Sequence, residues 1–329
     1  VQTNVGMTEV NGFNRFEITG ADRHSFLDRM FCGAVTKREG RVGLGYLLNH
    51  HGMIKGEATV ANLPASDRGP ARVWYGSAAA SETHDMDWLQ KHIQPDEQVQ
   101  IRSLTNDQTI LVLAGPKARD VLSACSRGDW SKAGFPWLSA RECFIGFAPA
   151  TVLGVSFSGE LAYEIHVPNA SLYAAYLALR KAGEPHRLKL FGARAVDSMR
   201  MEMGFLHWKA DLLTEFTPFE TGLDRFVKLE KGDFIGKAAL AKLHAAGERK
   251  AFVSLKVYAT HAPARGGASL MVGDKVVGTI SSADWGHRVG MNLAYAFIDP
   301  ALSAIGTKLH LDMYGDMVGV EVIAPSPYD

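Results

Sequence analysis

From about residue 248 onward the chain stops reading as mixed structure. Val253, Leu255 and Val257 alternate with polar residues, and Gly273-Asp274 and Gly315-Asp316 each stand between apolar runs. Period-two alternation closed by Gly-Asp turns predicts hairpins and a self-contained β domain. This limits the architecture to an upstream region, residues 1–247, and a C-terminal β domain, residues 248–329. A chain of 329 residues is too long for one small core, so a division of this kind is expected.

Upstream, both periods occur. Phe26, Leu27, Met30 and Phe31 fall on one helical face after Ala21-Asp22, and Met86, Leu89 and Ile93 mark a second, short helix. In MIKGEATVANL, Ile54, Gly56, Ala58 and Val60 alternate with Lys55, Glu57, Thr59 and Ala61, which predicts a strand with one polar face. Pro116 reads as a first helical position, before Ala118, Val121, Leu122 and Cys125. Two strands broken at Ser158-Gly159 precede a helix capped by Asn169 or Ser171 and closed by Gly183, and another helix spans Ala193 to Met203. Strand, strand, helix, helix in that order predicts α+β layers rather than a doubly wound sheet.

Composition excludes several functions. The 35 basic and 35 acidic side chains cancel, which disfavours general nucleic-acid binding. Cys32, Cys125 and Cys143 are odd in number and far apart, so neither a disulfide framework nor a structural zinc site is expected. The longest charge-free apolar stretch, Phe144 to Ser158, is too short to span a bilayer. No signal peptide opens the chain, so the expectation is a cytoplasmic, membrane-free protein, and Val1 reads as a processed or cut start.

Gly40, Gly43 and Gly45 do not form GxGxxG, no GxxxxGK[ST] occurs, and GVSFS fails GxSxG. His50 and His51 are adjacent, so on a strand they point to opposite faces, and no metal site is expected. Three charged positions remain. Glu57 on a polar strand face is either a solvated carboxylate or a reacting acid. Glu160, after Ser158-Gly159, is either turn chemistry or a ligand. Val196, Met199, Arg200 and Met203 place a guanidinium on an apolar helical stripe, where it needs a structural ion pair or a ligand.

Seven segments, in order, carry a resemblance: FEITGADRHSFLDRM, GRVGLGYLLNHHGMIKGEATV, VLAGPKARDVL, VSFSGELAYEIHVP, FGARAVDSMRMEMGF, TPFETGLDRFVKLEKGDFIGKAAL and KVVGTISS. Together they resemble the glycine-cleavage T-protein family of folate-dependent aminomethyltransferases, and within it the folate domain of dimethylglycine and sarcosine dehydrogenases. The resemblance implies a cloverleaf of α+β domains around a central folate hole, with a small C-terminal β-barrel and two intertwined subdomains before it. It implies tetrahydrofolate as cofactor and one-carbon transfer from a methylated amine or similar donor.

Residue by residue, the family's catalytic acid falls on Glu57, its pterin-binding Glu on Glu160 and its buried Arg on Arg200. Trp208, Tyr46 and Tyr163 are the implied aromatic wall. Glu in place of the family's Asp moves the carboxylate by about 1 Å, an offset that matters in a tuned site. An aromatic four residues after the acid is replaced by Ala61. Lys228, Lys231 and Lys237 attract a polyglutamate tail or form a solvated face. The family's fused members imply a flavin dehydrogenase partner; other branches imply direct demethylation. The rival is a non-catalytic folate-binding module, or a relative of the iron–sulfur-assembly branch, which carries a cysteine where Asp233 stands here.

Overall fold

The computed structural model describes residues 1–328. Its architecture is α+β with a separate C-terminal β domain, as the pattern predicts, and that domain is a closed barrel, as the resemblance implies. One sheet has the strand order Arg41–Leu48, Ile54–Leu63, Arg72–Ala78, Phe13–Thr19, Gln100–Ser103, every pair antiparallel. The other runs Lys189–Leu190, Gly6–Glu9, Gln108–Ala114, Ala162–Pro168, Ala148–Leu153, Ala140–Ile145. Gly6–Glu9 and Phe13–Thr19 are neighbours in sequence but lie in different sheets, so the two subdomains share the chain rather than follow one another.

Each sheet hides one face under helices. Phe26, Leu27 and Met30 of the helix Arg23–Met30 pack with Phe16, Ile18, Ala58 and Val60. Val121, Leu122 and Leu179, from the helices Ala118–Cys125 and Leu172–Gly183, pack with Leu113, Val152 and Ile165. The opposite faces of the two sheets meet each other: Val42, Ala61 and Trp74 share a cluster with Ala140 and Leu153. This contact explains a departure from simple alternation in Ile54–Leu63. The strand alternates as far as Val60, but Ala61, Asn62 and Leu63 are all buried, because the second sheet closes over that end.

Element ends depart from the local signals. Pro116 lies two residues before the helix Ala118–Cys125. Neither Asn169 nor Ser171 caps the helix Leu172–Gly183 with its side chain. Asn169 instead accepts from Thr109 at 2.7 Å and donates to the Asn106 carbonyl at 2.8 Å. Gly183 stays right-handed, the chain continues as a 3-10 turn, and Arg187 takes the left-handed conformation. Tertiary hydrogen bonds and the following turn override the local cap preferences there.

The barrel closes in the order Ala251–Val257, Met291–Ile298, Lys275–Gly286, Ser269–Val272, Lys308–Met313, Asp316–Ile323, with Ser254 paired to Ile323. Gly273-Asp274 is the two-residue turn between Val272 and Lys275. The second turn is one residue earlier than its sequence signal: Tyr314 and Gly315, at φ 61° and 94°, lie between the paired Met313 and Asp316. The helix Ala193–Glu202 joins the barrel to the sheets. Ser198 donates to the Trp285 carbonyl at 2.6 Å, and Tyr295 donates to the Met201 carbonyl at 3.0 Å. Among the described residues, no helix is long and apolar enough to cross a membrane.

Candidate functional site

The partly exposed residues of Ile54–Leu63 face away from the helices, and Glu57 is one of them. Directly across the strand pair stands Tyr46, whose hydroxyl donates to Glu57 Oε1 at 3.0 Å. Cross-strand partners are the closest side-chain neighbours a sheet provides, so the pleat itself creates the pair. On the opposite face of the strand, Gly45 lets Phe31 pack closely, since a Cβ there would stand 2.4 Å from the Phe31 ring. Burial pushes the Glu57 carboxyl up to about 7, and the Tyr46 hydrogen bond opposes that rise. Burial first, then the neighbouring carboxylate, push the Tyr46 phenol well above its ordinary value. Tyr46 is therefore a fixed donor, and Glu57 is an acid that titrates near neutrality.

Tyr46 shares an apolar cluster with Trp208 and stands edge-on to Phe226 at 5.2 Å between centroids. The Trp208 indole donates to Ser81 Oγ at 3.0 Å. The structure thus brings together Glu57, Tyr46 and Trp208. It adds neighbours absent from the sequence reading. Lys55, two residues before Glu57, has its ammonium 2.5 Å from His84 Nε2 and 4.5 Å from the centre of the Trp88 ring. His84 in turn stands 3.6 Å from the buried Asp85, whose carboxyl burial pushes upward. Asp85 lies on the buried stripe of the helix Glu82–Lys91 with Leu89, at i and i+4. The stripe argument applied to Arg200 would have found it.

Glu160 and Arg200 lie at the junction with the barrel. Arg200 is buried; its Nε reaches Asp197 at 3.0 Å, Nη1 reaches Asp211 at 2.8 Å and the Phe205 carbonyl at 2.9 Å, and Nη2 reaches Ser282 at 3.0 Å. Of the two readings open in the sequence, these contacts supply the structural ion pair. Asp211 also accepts from the His207 amide at 2.9 Å, so Arg200 orders the loop that carries Trp208. Glu160 follows Gly159, at φ 76°, where a Cβ would meet Met203 Cγ at 2.0 Å, so the turn needs glycine. Its carboxylate is 2.9 Å from Arg288 of the barrel. Burial raises the Glu160 carboxyl, and Arg288 counters that rise.

Tyr163 is placed elsewhere. It packs against Phe135 and Trp130, at 5.9 and 6.3 Å between centroids, under the helices of the six-stranded sheet. Lys231 donates to the carbonyls of Asp28, Phe31 and Gly33, and Lys237 to that of Lys231. Lys231 thus holds the end of the helix Arg23–Met30, and Lys237 holds the loop that carries Lys231, in place of the solvated face considered from sequence. His50 stands 5.3 Å from Trp88 and 5.6 Å from His92 between ring centroids. Among the described residues, no three His, Cys, Asp or Glu side chains are grouped to hold a metal ion.

Comparisons with known proteins agree with this architecture. The family model described as the GCVT N-terminal domain matches residues 1–231, and the glycine cleavage T-protein C-terminal barrel domain matches residues 250–329. Human mitochondrial dimethylglycine dehydrogenase is 29% identical over 317 residues, covering 96% of this chain and 36% of its own length. Mouse mitochondrial sarcosine dehydrogenase is 30% identical over 336 residues, again covering 96% and 36%. The chain thus spans about a third of the length of these curated relatives. The crystal structure of glycine cleavage system aminomethyltransferase T from Bartonella henselae superposes with a TM-score of 0.86 at 22% identity, covering 100% of this chain and 87% of that one, a likeness of fold. With both its domain models matched in order, the chain belongs to the glycine cleavage T-protein family.

Proposed function

We propose that the protein is a tetrahydrofolate-dependent one-carbon transferase whose reacting acid is Glu57. The observation that carries this reading is the Tyr46–Glu57 pair, 3.0 Å apart, with the carboxyl raised to about 7. No opposite charge offsets the burial of Glu57; the Tyr46 hydroxyl is the group that does so among the described residues. A carboxyl poised in this way suits proton transfer with a weakly basic nitrogen at neutral pH. Tetrahydrofolate, when bound, supplies the nitrogen nucleophile that takes up the one-carbon unit.

The residues present fit that cofactor at the Glu57 end. Tyr46 fixes the carboxylate rotamer, Glu57 takes the proton, and Trp208 offers an apolar wall held by its bond to Ser81. At the other proposed contact, Arg288 holds one oxygen of Glu160 at 2.9 Å, and the carboxylate keeps acceptor capacity for a pterin edge, whose paired N–H groups match its fork. Arg200 acts as a positioning residue through Asp211 and the Trp208 loop. Tyr163, in the outer core, has no part in the proposed wall.

The donor in this reading is a methylated amine or its oxidised, methylene-level form. A flavin dehydrogenase partner would supply the latter, in keeping with relatives of which this chain matches about a third. Loss of a positioned acid or base costs about 10²–10⁴ in rate. Glu57→Gln should therefore keep tetrahydrofolate affinity in calorimetry while turnover of a methylated-amine panel falls about a hundredfold or more. Full turnover in that variant would end the catalytic assignment. Folate binding without turnover in the native protein would mean a binding module.

A further inference from the structure

Three cations stand around the Tyr46–Glu57 pair, each seated on an aromatic ring. The Arg225 guanidinium is 4.8 Å from the centre of the Phe226 ring, and Phe226 is the ring that meets Tyr46 edge-on. The Lys209 ammonium is 5.2 Å from the centre of the Trp208 ring, which packs in the same apolar cluster as Tyr46. The Lys55 ammonium is 4.5 Å from the centre of the Trp88 ring, and Lys55 lies two residues from Glu57 on the same side of its strand. Arg225 and Lys209 are exposed and Lys55 is half-buried. Among the described residues, the ion pairs of the chain involve none of the three. The side chain that Lys55 touches is an imidazole, His84, rather than an acid.

The three charges belong to one neighbourhood. Burial lowers the Lys55 ammonium, Asp85 opposes that, and Lys209 adds to it. Arg225 opposes the rise that burial and Glu57 impose on the Tyr46 phenol. Yet none of the three offsets the burial of Glu57, so acid and cations meet different parts of an occupant. The chain as a whole has no positive excess, which makes this gathering local. Unpaired charges of one sign around an opening concentrate anions there. From this we infer that Arg225, Lys209 and Lys55 form a collar at the mouth of the Glu57 site that holds a flexible run of carboxylates, carried by a γ-linked glutamyl chain on the cofactor or by an acidic α-peptide. Each ring supports the apolar side of its cation and leaves N–H donors free for a carboxylate oxygen. Each head is tethered to its own ring, so the collar suits several carboxylates along a chain better than one. A γ-glutamyl source rests on the folate reading above; the collar itself does not.

The test is calorimetric titration of the full chain, at low and high salt, with N-acetylated tetraglutamates linked through the γ or the α carboxyl. Tetraglutamine serves as the neutral probe, and tetrahydrofolate is added with one or with four glutamates. At least one tetraglutamate should bind the native chain, and tetraglutamine should not. The triple variant Lys55→Gln/Lys209→Gln/Arg225→Gln should lose about tenfold, as the removal of three exposed ion pairs would give. Lys55→Arg/Lys209→Arg/Arg225→Lys should keep most of the affinity. Salt should weaken binding to the native chain and have little effect on the triple variant. Tighter binding of the γ-linked probe, with four glutamates improving tetrahydrofolate, would assign the run to the cofactor. Tighter binding of the α-linked probe, with both tetrahydrofolates alike, would assign it to a protein segment. Tetraglutamate binding with no binding of either tetrahydrofolate would sink the folate reading and leave the collar standing. No tetraglutamate binding by the native chain, or equal binding by the triple variant, would overturn the collar. Should the triple variant melt early, Lys209→Gln and Arg225→Gln, both at exposed positions, give the same reading in smaller steps.

Discussion

At the scale of single residues, the Tyr46–Glu57 pair makes the most direct demands on experiment. The folded Glu57 carboxyl sits at about 7 against an ordinary 4.5, so the folded state holds this proton more tightly than the unfolded chain. Its contribution to stability is therefore fully present below about pH 4.5 and is lost as pH rises through about 7. Melting temperature should fall across that window, and Glu57→Gln should flatten that part of the curve. As a base, Glu57 is active when ionised, so kcat/KM should rise through about pH 7 in the native protein. Tyr46→Phe removes the donor that favours the carboxylate, and should move that rise upward by about one pH unit. A pH–rate profile unmoved by Tyr46→Phe would separate the phenol from the titrating group. The polar face of Glu57 was legible from alternation alone. Its partner was not, because the register across the hairpin includes an irregularity between Leu47 and Leu48 that no spacing reveals.

At the scale of elements, the strand Arg41–Leu48 carries two glycines with opposite expected behaviour. A Cβ at Gly45 would stand 2.4 Å from a ring carbon of Phe31, whereas at Gly43 the nearest atoms are 3.8 Å away. Gly45→Ala should destabilise by about 1–3 kcal/mol through overpacking, and Gly43→Ala should stay within about 0.5 kcal/mol. Urea melts of the two variants read the difference. Most elements were legible, since alternation and helical stripes report which face is buried. Their ends were less so. The turn expected at Gly315-Asp316 falls on Tyr314-Gly315, and the cap expected at Asn169 or Ser171 does not form. In both places a neighbouring strand or loop decides the boundary, and local sequence carries no record of it.

At the scale of the whole molecule, Arg200 is where helix, loop and barrel are fastened together. Asp211 is completely buried and accepts from Arg200, the His207 amide and Ser281. Arg200→Met leaves that carboxylate without its cation, and such losses cost about 3–5 kcal/mol. The variant should melt well below the native chain, with the Trp208 emission shifted as its loop loosens. The double variant Arg200→Met/Asp211→Leu should recover much of the loss. Failure to recover would mean that the guanidinium stabilises chiefly through Ser282 and the Phe205 carbonyl. The barrel was legible as a separate unit because its period differs from what precedes it. The sharing of Arg200 between units was legible only as a demand for a partner, since Asp211 and Ser282 are remote or off the stripe in sequence.

The same interleaving that builds the two sheets has a bearing on biosynthesis. Gly6–Glu9 is enclosed between Gln108–Ala114 and the two-residue strand Lys189–Leu190. The first strand made is thus bordered by nearly the last strand of that region, 189 − 6 = 183 residues later. At ribosomal elongation rates this is a wait of about 10–40 s, during which the six-stranded sheet stays incomplete while every strand of the five-stranded sheet has already been made. Contacts of such long sequence separation also slow refolding, because loop closure precedes their reward. For the nascent chain, the outer edge of Gly6–Glu9 is an open seam until Lys189–Leu190 emerges to close it.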